Sequence, residues 1–175
     1  MKKLLLLLFI FPFLNSCSSD DDKKEDEKLE FIQVNITTEY NEPFDGIISL
    51  FYLGDAEATL CNDVNGVIFA KTNDSEDYLW PSSKTTGDKL TLSNDMKAVK
   101  SFYWSELSYS PKYGIPKAGK NYAIFIRVNT KTSFKLVKTF KTINIDTNKK
   151  INVFIPKAND LSSFVEAKWT IENFK

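Results

Sequence analysis

The chain begins with an apolar segment that ends abruptly. After Met1-Lys2-Lys3, every residue from Leu4 to Leu14 is apolar. A membrane-spanning helix needs about 20 apolar residues, so this run is too short to cross a bilayer. A cationic start followed by a short apolar stretch is typical of a secretory signal peptide. Because Pro12 and the charge that follows fit a buried helix poorly, we predict that residues 1–16 are a signal peptide.

A wholly polar stretch follows the apolar one. From Ser18 to Lys28 the sequence reads SSDDDKKEDEK, without a single apolar side chain. Such a segment cannot bury surface and so cannot offset the entropy cost of folding. We predict that residues 17–28 form a flexible acidic tether to a single domain over residues 29–175.

Beyond residue 29, apolar residues recur with a period of two. The pattern is clearest at 122–128, where Tyr122, Ile124, Ile126 and Val128 form one apolar face. Period-two alternation with β-branched and aromatic residues predicts β-strands. Further strands are predicted at 31–36, 46–53, 58–61, 67–72, 134–140, 142–145, 151–156 and 165–171.

Polar turns separate these strands. Asn65-Gly66 predicts a hairpin between ATLC and VIFAKT, because both residues tolerate positive φ. The turns NTKTS and DTNKK predict two more hairpins, and residues 95–110 fit either a strand pair or a short helix. About eight short strands with polar turns predict an all-β fold, an antiparallel β-sandwich.

The residues at the end of the apolar run carry a family resemblance. Leu14-Asn15-Ser16-Cys17 resembles a bacterial lipobox. The resemblance implies cleavage between Ser16 and Cys17, attachment of diacylglycerol to the Cys17 thiol and acylation (palmitate) of the new amino terminus. The chain then becomes a lipoprotein that is anchored to the cell envelope without spanning a membrane.

The residues after the cysteine carry a second resemblance. Ser18, Ser19, Asp20, Asp21 and Asp22 resemble the acidic export signal of surface-exposed lipoproteins in the Bacteroidota. This similarity implies an outer-membrane lipoprotein that faces outward.

Two segments of the domain resemble known β-sandwiches. DVNG and PKAGKNYAIFIRV are similar to turns and strands of transthyretin-like and other immunoglobulin-like domains. The similarity implies a sandwich, but such folds host many functions and it carries no activity with it.

The composition excludes most catalytic equipment. The chain has no histidine and two cysteines, of which Cys17 is predicted to carry lipid. This removes histidine-based nucleophile systems and histidine-ligated zinc, and it leaves Cys61 without a disulfide partner, most simply as a small buried apolar residue. We therefore predict no enzyme activity, no cofactor and no metal. Zero net charge on an exported chain also argues against nucleic acid as a partner.

Three groups of side chains suggest ligands. Aromatic residues can stack on sugar rings or instead fill the core; those considered for ligand binding are Trp80, Phe102, Tyr103, Trp104 and Tyr109. Asn73, Asp74, Glu76 and Asp77 carry oxygen ligands for Ca²⁺ but lack EF-hand spacing. The lysines 131, 135, 138, 141, 149 and 150 predict either a basic face or charges that pair and solvate.

These patterns predict an outer-membrane-anchored surface lipoprotein with a non-enzymatic binding or structural role. Two alternatives stay open: a carbohydrate-binding accessory of a surface glycan-uptake system, or a subunit of an envelope or fimbria-like assembly. The predicted partners are membrane lipid through Cys17 and either a glycan or an envelope protein.

Overall fold

A computed structural model describes residues 31–62, 68–74, 78–79, 88–90, 96–103, 107, 112–146 and 148–174. The predicted signal peptide, Cys17 and the tether lie outside these residues. Within them the regular structure is entirely β, and no helix long and apolar enough to cross a membrane occurs. The strands are β1 Phe31–Thr38, β2 Phe44–Gly54, β3 Ala58–Asn62, β4 Ile68–Thr72, β5 Tyr78–Leu79, β6 Asp88–Leu90, β7 Ala98–Tyr103, β8 Lys120–Thr130, β9 Leu136–Ile145, β10 Lys149–Ile155, β11 Ser162–Phe164 and β12 Lys168–Asn173.

Two sheets pack face to face around the main core. Sheet A has the strand order β12-β10-β1-β7, and sheet B has the order β11-β9-β8-β2-β6. Alternate residues of β8, beginning at Tyr122, are buried against alternate residues of β1 and β10, such as Val34 and Val153. The prediction of an all-β sandwich is confirmed.

The sandwich is not purely antiparallel. β1 pairs with β10 in parallel, and β9 pairs with β11 in parallel. The predicted hairpin across DTNKK is therefore wrong, because Ile145 ends β9 in sheet B whereas Lys149 begins β10 in sheet A. Alternation identifies the buried face of each strand, but it does not say which strand lies beside it.

Other predicted hairpins are present. β8 and β9 pair antiparallel on either side of the NTKTS turn, and β3 pairs antiparallel with β4. Asn65-Gly66, between β3 and β4, lies outside the described residues. In the ambiguous stretch 95–110, residues 98–103 form the strand β7.

A third sheet covers part of sheet B from outside. Sheet C has the order β3-β4-β5, and its Ala58 and Ala70 pack with Leu53, Ala123 and Phe125 in a second buried cluster. Both faces of β8 are consequently buried along 122–126. The sequence predicts one apolar and one mixed face for this strand, and the added layer explains the difference.

The last strand lies at the margin of the core. Ala167 is buried and Trp169 is half-buried, whereas Ile171 is 41% exposed. The strand predicted at 165–171 thus begins later, at Lys168, and its apolar residues are only partly buried because β12 is the outermost strand of sheet A.

Candidate functional site

The outer face of sheet A carries aligned polar side chains. Asn35 of β1 lies opposite Asn152 of β10, which lies opposite Thr170 of β12. The neighbouring row consists of Gln33, Lys150 and Glu172. We call these six residues the amide face. On β1 and β10 the neighbouring residues Val34 and Ile151 are buried in the core, so strand alternation places the polar residues beside them outward. The cross-strand register then places Thr170 and Glu172 on the same outer face.

Hydrogen bonds orient the amide groups of this face. Asn35 Nδ2 donates to Asn152 Oδ1 at 2.8 Å, and Asn152 Nδ2 donates to Glu172 Oε1 at 3.2 Å. The bonds run across three adjacent strands and fix which end of the Asn152 amide donates. The result is a line of planar donors and acceptors held on rigid strands.

No described layer covers the amide face. Its members are half-buried or exposed, whereas Leu53 and Ala123, on the outer face of sheet B, are fully buried beneath sheet C. Within the described part of the chain, the side chains of this face are shielded only by one another, which leaves them open to a ligand from above.

Aromatic rings flank the amide face. Phe154 of β10 is half-buried beside it, with Lys168 Nζ 6.0 Å from its ring centroid. Tyr103, at the end of β7, is half-buried and lies opposite Phe31. Phe154 is not among the predicted ligand-binding aromatics. Its position between the buried Val153 and Ile155 could have indicated that its side chain lies on the opposite, outer face of the strand.

The predicted aromatic cluster does not act as one surface. Phe102 is only 7% exposed and packs in the main core, so its ring presents no face to a ligand. For this residue the core interpretation holds. Trp80, Trp104 and Tyr109 lie outside the described residues.

The acidic loop candidate for Ca²⁺ is engaged by other groups. Asp74 Oδ1 accepts hydrogen bonds from Lys112 Nζ at 3.0 Å and from Tyr113 OH at 3.1 Å. Partial desolvation acts to raise the pKa of Asp74, but the hydrogen bonds from Lys112, Thr72 and Tyr113 together bring it below its usual value. Asn73 Oδ1 accepts the Glu57 N–H at 3.1 Å. Glu76 and Asp77 lie outside the described residues, and no group of three metal-ligating side chains occurs within them.

The predicted basic face is divided among different surfaces. Lys131 pairs with Asp45 at the β8–β9 turn, and Lys149 pairs with Asp146 at 2.7 Å. Lys138 Nζ lies 5.6 Å from the Phe164 ring on the outer face of sheet B, while Lys150 belongs to the amide face of sheet A. The lysines therefore pair or solvate separately, and they form no single anionic-ligand site.

Two exposed apolar side chains lie at the end of the sandwich where β8 turns into β9. Phe134 is 78% exposed and has φ of 54°, and Leu161 is 69% exposed. Their loops are adjacent, because Leu136 N donates to Leu161 O at 2.7 Å. We call Phe134 and Leu161 the apolar tip. A non-glycine residue in the left-handed region costs about 1 kcal/mol, so the loop holds Phe134 outward at the expense of some strain.

Cys61 departs from its predicted burial. It is a free thiol on β3 and is half-buried rather than enclosed. The reason is that β3 belongs to sheet C, of which the neighbouring Thr59 and Leu60 are exposed.

Comparison with known proteins identifies no relative of this chain. No family model matches the chain, and no curated protein or solved structure does so either.

Proposed function

We propose that this chain is an outer-membrane-anchored surface lipoprotein whose amide face binds carbohydrate without catalysis. The observation that carries the proposal is the hydrogen-bonded line Asn35–Asn152–Glu172 on a sheet face that no described layer covers. The anchor rests on the sequence, on Cys17 within its lipobox-like segment and on the acidic residues after it.

The chemistry of the face matches that of sugar hydroxyls. A hydroxyl both donates and accepts, and an amide offers two donors and an acceptor in one plane. Glu172 adds a charged acceptor and Lys150 a charged donor, which form the stronger hydrogen bonds. Phe154 and Tyr103 offer apolar surface at either side of the face for the C–H side of a sugar ring.

Affinity electrophoresis on a panel of polysaccharides tests this function. We expect retardation on at least one glycan and its loss in Asn35→Ala and Asn152→Ala. Asn144→Ala is the matched control, because Asn144 Nδ2 also donates to an asparagine, Asn121 Oδ1 at 3.0 Å, but in sheet B. Migration that no glycan slows, or an equal loss in the Asn144 variant, contradicts the proposal.

The anchor is tested separately. Cys17→Ala should move the chain from the detergent-rich to the aqueous phase of a Triton X-114 separation, and protease added to intact cells should cleave the wild-type chain. Cys61→Ala is the control, since it removes a thiol without touching the predicted acylation site. A Cys17→Ala chain that still partitions with membranes excludes lipidation.

The apolar tip favours a second candidate, a subunit of an envelope or fimbria-like assembly. An aromatic side chain held outward in a strained turn suits contact with another protein. Crosslinking at the cell surface followed by pull-down should recover one specific envelope partner, and Phe134→Ser should abolish its capture. If the Phe134 variant captures the same proteins as the wild type, this candidate fails.

A further inference from the structure

The C-terminal strand β12 is an open edge of sheet A. In the described part of the chain it pairs with β10 on one side and with no strand on the other. Apolar side chains remain exposed along it: Ile171 and Phe174 are each 41% exposed. An edge of this kind presents backbone donors and acceptors that can pair with another strand.

The hydrogen-bond phase of β12 shows which of its residues face that edge. Phe174 N donates to Asn148 O at 3.0 Å, so this opposed pair is hydrogen-bonded. Bonded and non-bonded pairs alternate along an antiparallel ladder. The backbone groups of Lys168, Thr170 and Glu172 are therefore directed at β10, and those of Trp169, Ile171 and Asn173 at the free edge.

We infer that β12 pairs antiparallel with β12 of a second copy of this chain, about a two-fold axis at Thr170. In this register Trp169 lies opposite Ile171 of the second copy, and both have backbone groups facing the edge. Lys168 lies opposite Glu172 of the second copy, and symmetry repeats that pair. Two apolar pairs thus form on one face of the joined sheet, and two pairs of opposite charge form on the other.

Neighbouring registers fit less well. An axis at Ile171 places Lys168 opposite Phe174 and Thr170 opposite Glu172. An axis at Trp169 places Glu166 opposite Glu172, which sets like charges against each other. Charge complementarity therefore selects the Thr170 register. Charged residues on an edge strand can also prevent pairing with other strands, and the test below distinguishes this role of Lys168 and Glu172 from dimer formation.

Disulfide trapping measures this contact in the full-length chain. The two Thr170 Cα atoms form a non-hydrogen-bonded pair about 4.5 Å apart, within the range that a disulfide bridges. In a Cys61→Ala background, Thr170→Cys should yield a dimer on a non-reducing gel after mild oxidation. Thr37→Cys is the control, because Thr37 lies on the same face of sheet A but on β1, two strands from the edge.

Charge reversal distinguishes the dimer from random collision. In the Thr170→Cys background, Lys168→Glu or Glu172→Lys places two like-charged pairs across the axis, and we expect association to weaken about tenfold. The double variant Lys168→Glu/Glu172→Lys restores opposite charges and should restore trapping. Circular dichroism of each variant checks that the sheets remain. Trapping no greater than in the Thr37 control, or trapping that either single reversal leaves unchanged, overturns the inference and leaves edge protection as the role of these charges.

Discussion

At Gly46 the backbones of β2 and β8 approach too closely for any side chain. A Cβ at this position would lie 1.9 Å from the Arg127 carbonyl oxygen. We predict that Gly46→Ala destabilises the fold by about 2–4 kcal/mol, because the adjacent strands β2 and β8 must separate to admit the methyl group. Urea unfolding followed by fluorescence measures the change.

Gly119→Ala is the comparison for Gly46→Ala. Gly119 has φ of 74°, but none of the described atoms would lie within 4 Å of a Cβ added there, so alanine costs only the conformational strain, about 1 kcal/mol. Equal losses in the two variants would show that the close approach at Gly46 is relieved by a small shift.

The carboxylate of Glu42, which lies between β1 and β2, accepts hydrogen bonds from the turn between β8 and β9. These hydrogen bonds lower the pKa of Glu42 from 4.5 to about 2. The bond from the Ser133 hydroxyl has the largest effect, and the bonds from the N–H groups of Ser133 and Thr132 lower the pKa further. No local sequence pattern predicts this contact, since Glu42 and Thr132 are 90 residues apart in the chain.

The stability that Glu42 supplies should therefore depend on pH. A carboxyl whose folded pKa is depressed stabilises the fold fully above its unfolded value of 4.5, and the contribution is lost as the pH falls toward 2. We expect Glu42→Gln to unfold at lower urea concentration than the wild type at pH 7, and the difference to shrink steadily between pH 4.5 and 2. The exposed Glu166, replaced in the same way, is the control; a wild-type advantage that is constant over this range refutes the role of the Glu42 charge.

At the scale of the element, alternation of apolar residues predicts well where the strands lie in the sequence but poorly which strands pair with each other. The strands β1, β2, β8 and β10 lie where the sequence places them, whereas β9 is one continuous strand in place of the two predicted at 134–140 and 142–145. Hairpins with short polar turns are local, so β8–β9 is predictable from the NTKTS turn. The separation of β9 and β10 into different sheets depends on the parallel partner β1, more than a hundred residues from β10, and no local pattern encodes it.

Sheet C shows a second limit of the pattern. Phe125 and Ala123 alternate with core residues, yet they are buried because sheet C covers them. Apolar residues with a period of two predict a strand with one buried face and one solvated face. This pattern cannot distinguish a mixed outer face that is solvated from one that carries another layer.

Thr142 fixes sheet C to sheet B by two hydrogen bonds. Its hydroxyl donates to Ala58 O at 3.0 Å and accepts from Ala58 N at 3.2 Å. Thr142→Val keeps the shape but leaves two backbone groups of the buried Ala58 without these partners, so we predict a loss of about 1–3 kcal/mol in the free energy of unfolding. Amide hydrogen exchange of β3 should rise in parallel.

Thr59→Val provides the matched substitution on sheet C. Thr59 is exposed on the same strand as Ala58, and valine there should change the stability little. If Thr142→Val is as mild as Thr59→Val, sheet C is held by its apolar contacts alone.

At the scale of the whole molecule, the amide face illustrates why a binding site is harder to predict than a fold. Asn35 and Asn152 lie 117 residues apart and meet only because β1 and β10 are parallel neighbours. Aromatic density along the sequence favours the region around Tyr103, but the same alternation that leaves Tyr103 half-buried on the outer face buries Phe102 in the core. The absence of histidine favours binding over catalysis only as a prediction, and the outer-membrane location is likewise a prediction that rests on residues 14–22.

For a chain anchored through Cys17 as predicted, the inferred dimer constrains how the molecule lies on a membrane. Its two-fold axis runs perpendicular to sheet A, so the two Phe31 ends point in opposite directions and lie about 35 Å apart, from strand spacings and rises. If Cys17 is lipidated as predicted, an axis along the membrane normal places both Phe31 residues at the same height, so that both predicted lipids reach one membrane. With the amide face directed outward, sheets B and C lie between sheet A and the lipid, a depth of about 20 Å.

The predicted tether has the length that this arrangement requires. If the predicted tether 17–28 is flexible, the chain from residue 18 to residue 30 would span roughly 20 Å, whereas deletion of residues 20–28 leaves four residues that reach at most about 14 Å. We therefore expect the deletion to abolish Thr170→Cys trapping in membranes but not in detergent solution. A tether of equal length in which residues 20–28 are Gly and Ser should preserve trapping in both, since reach rather than charge decides it. Undiminished trapping of the deletion variant in membranes would mean that the two copies do not lie flat with the amide face outward.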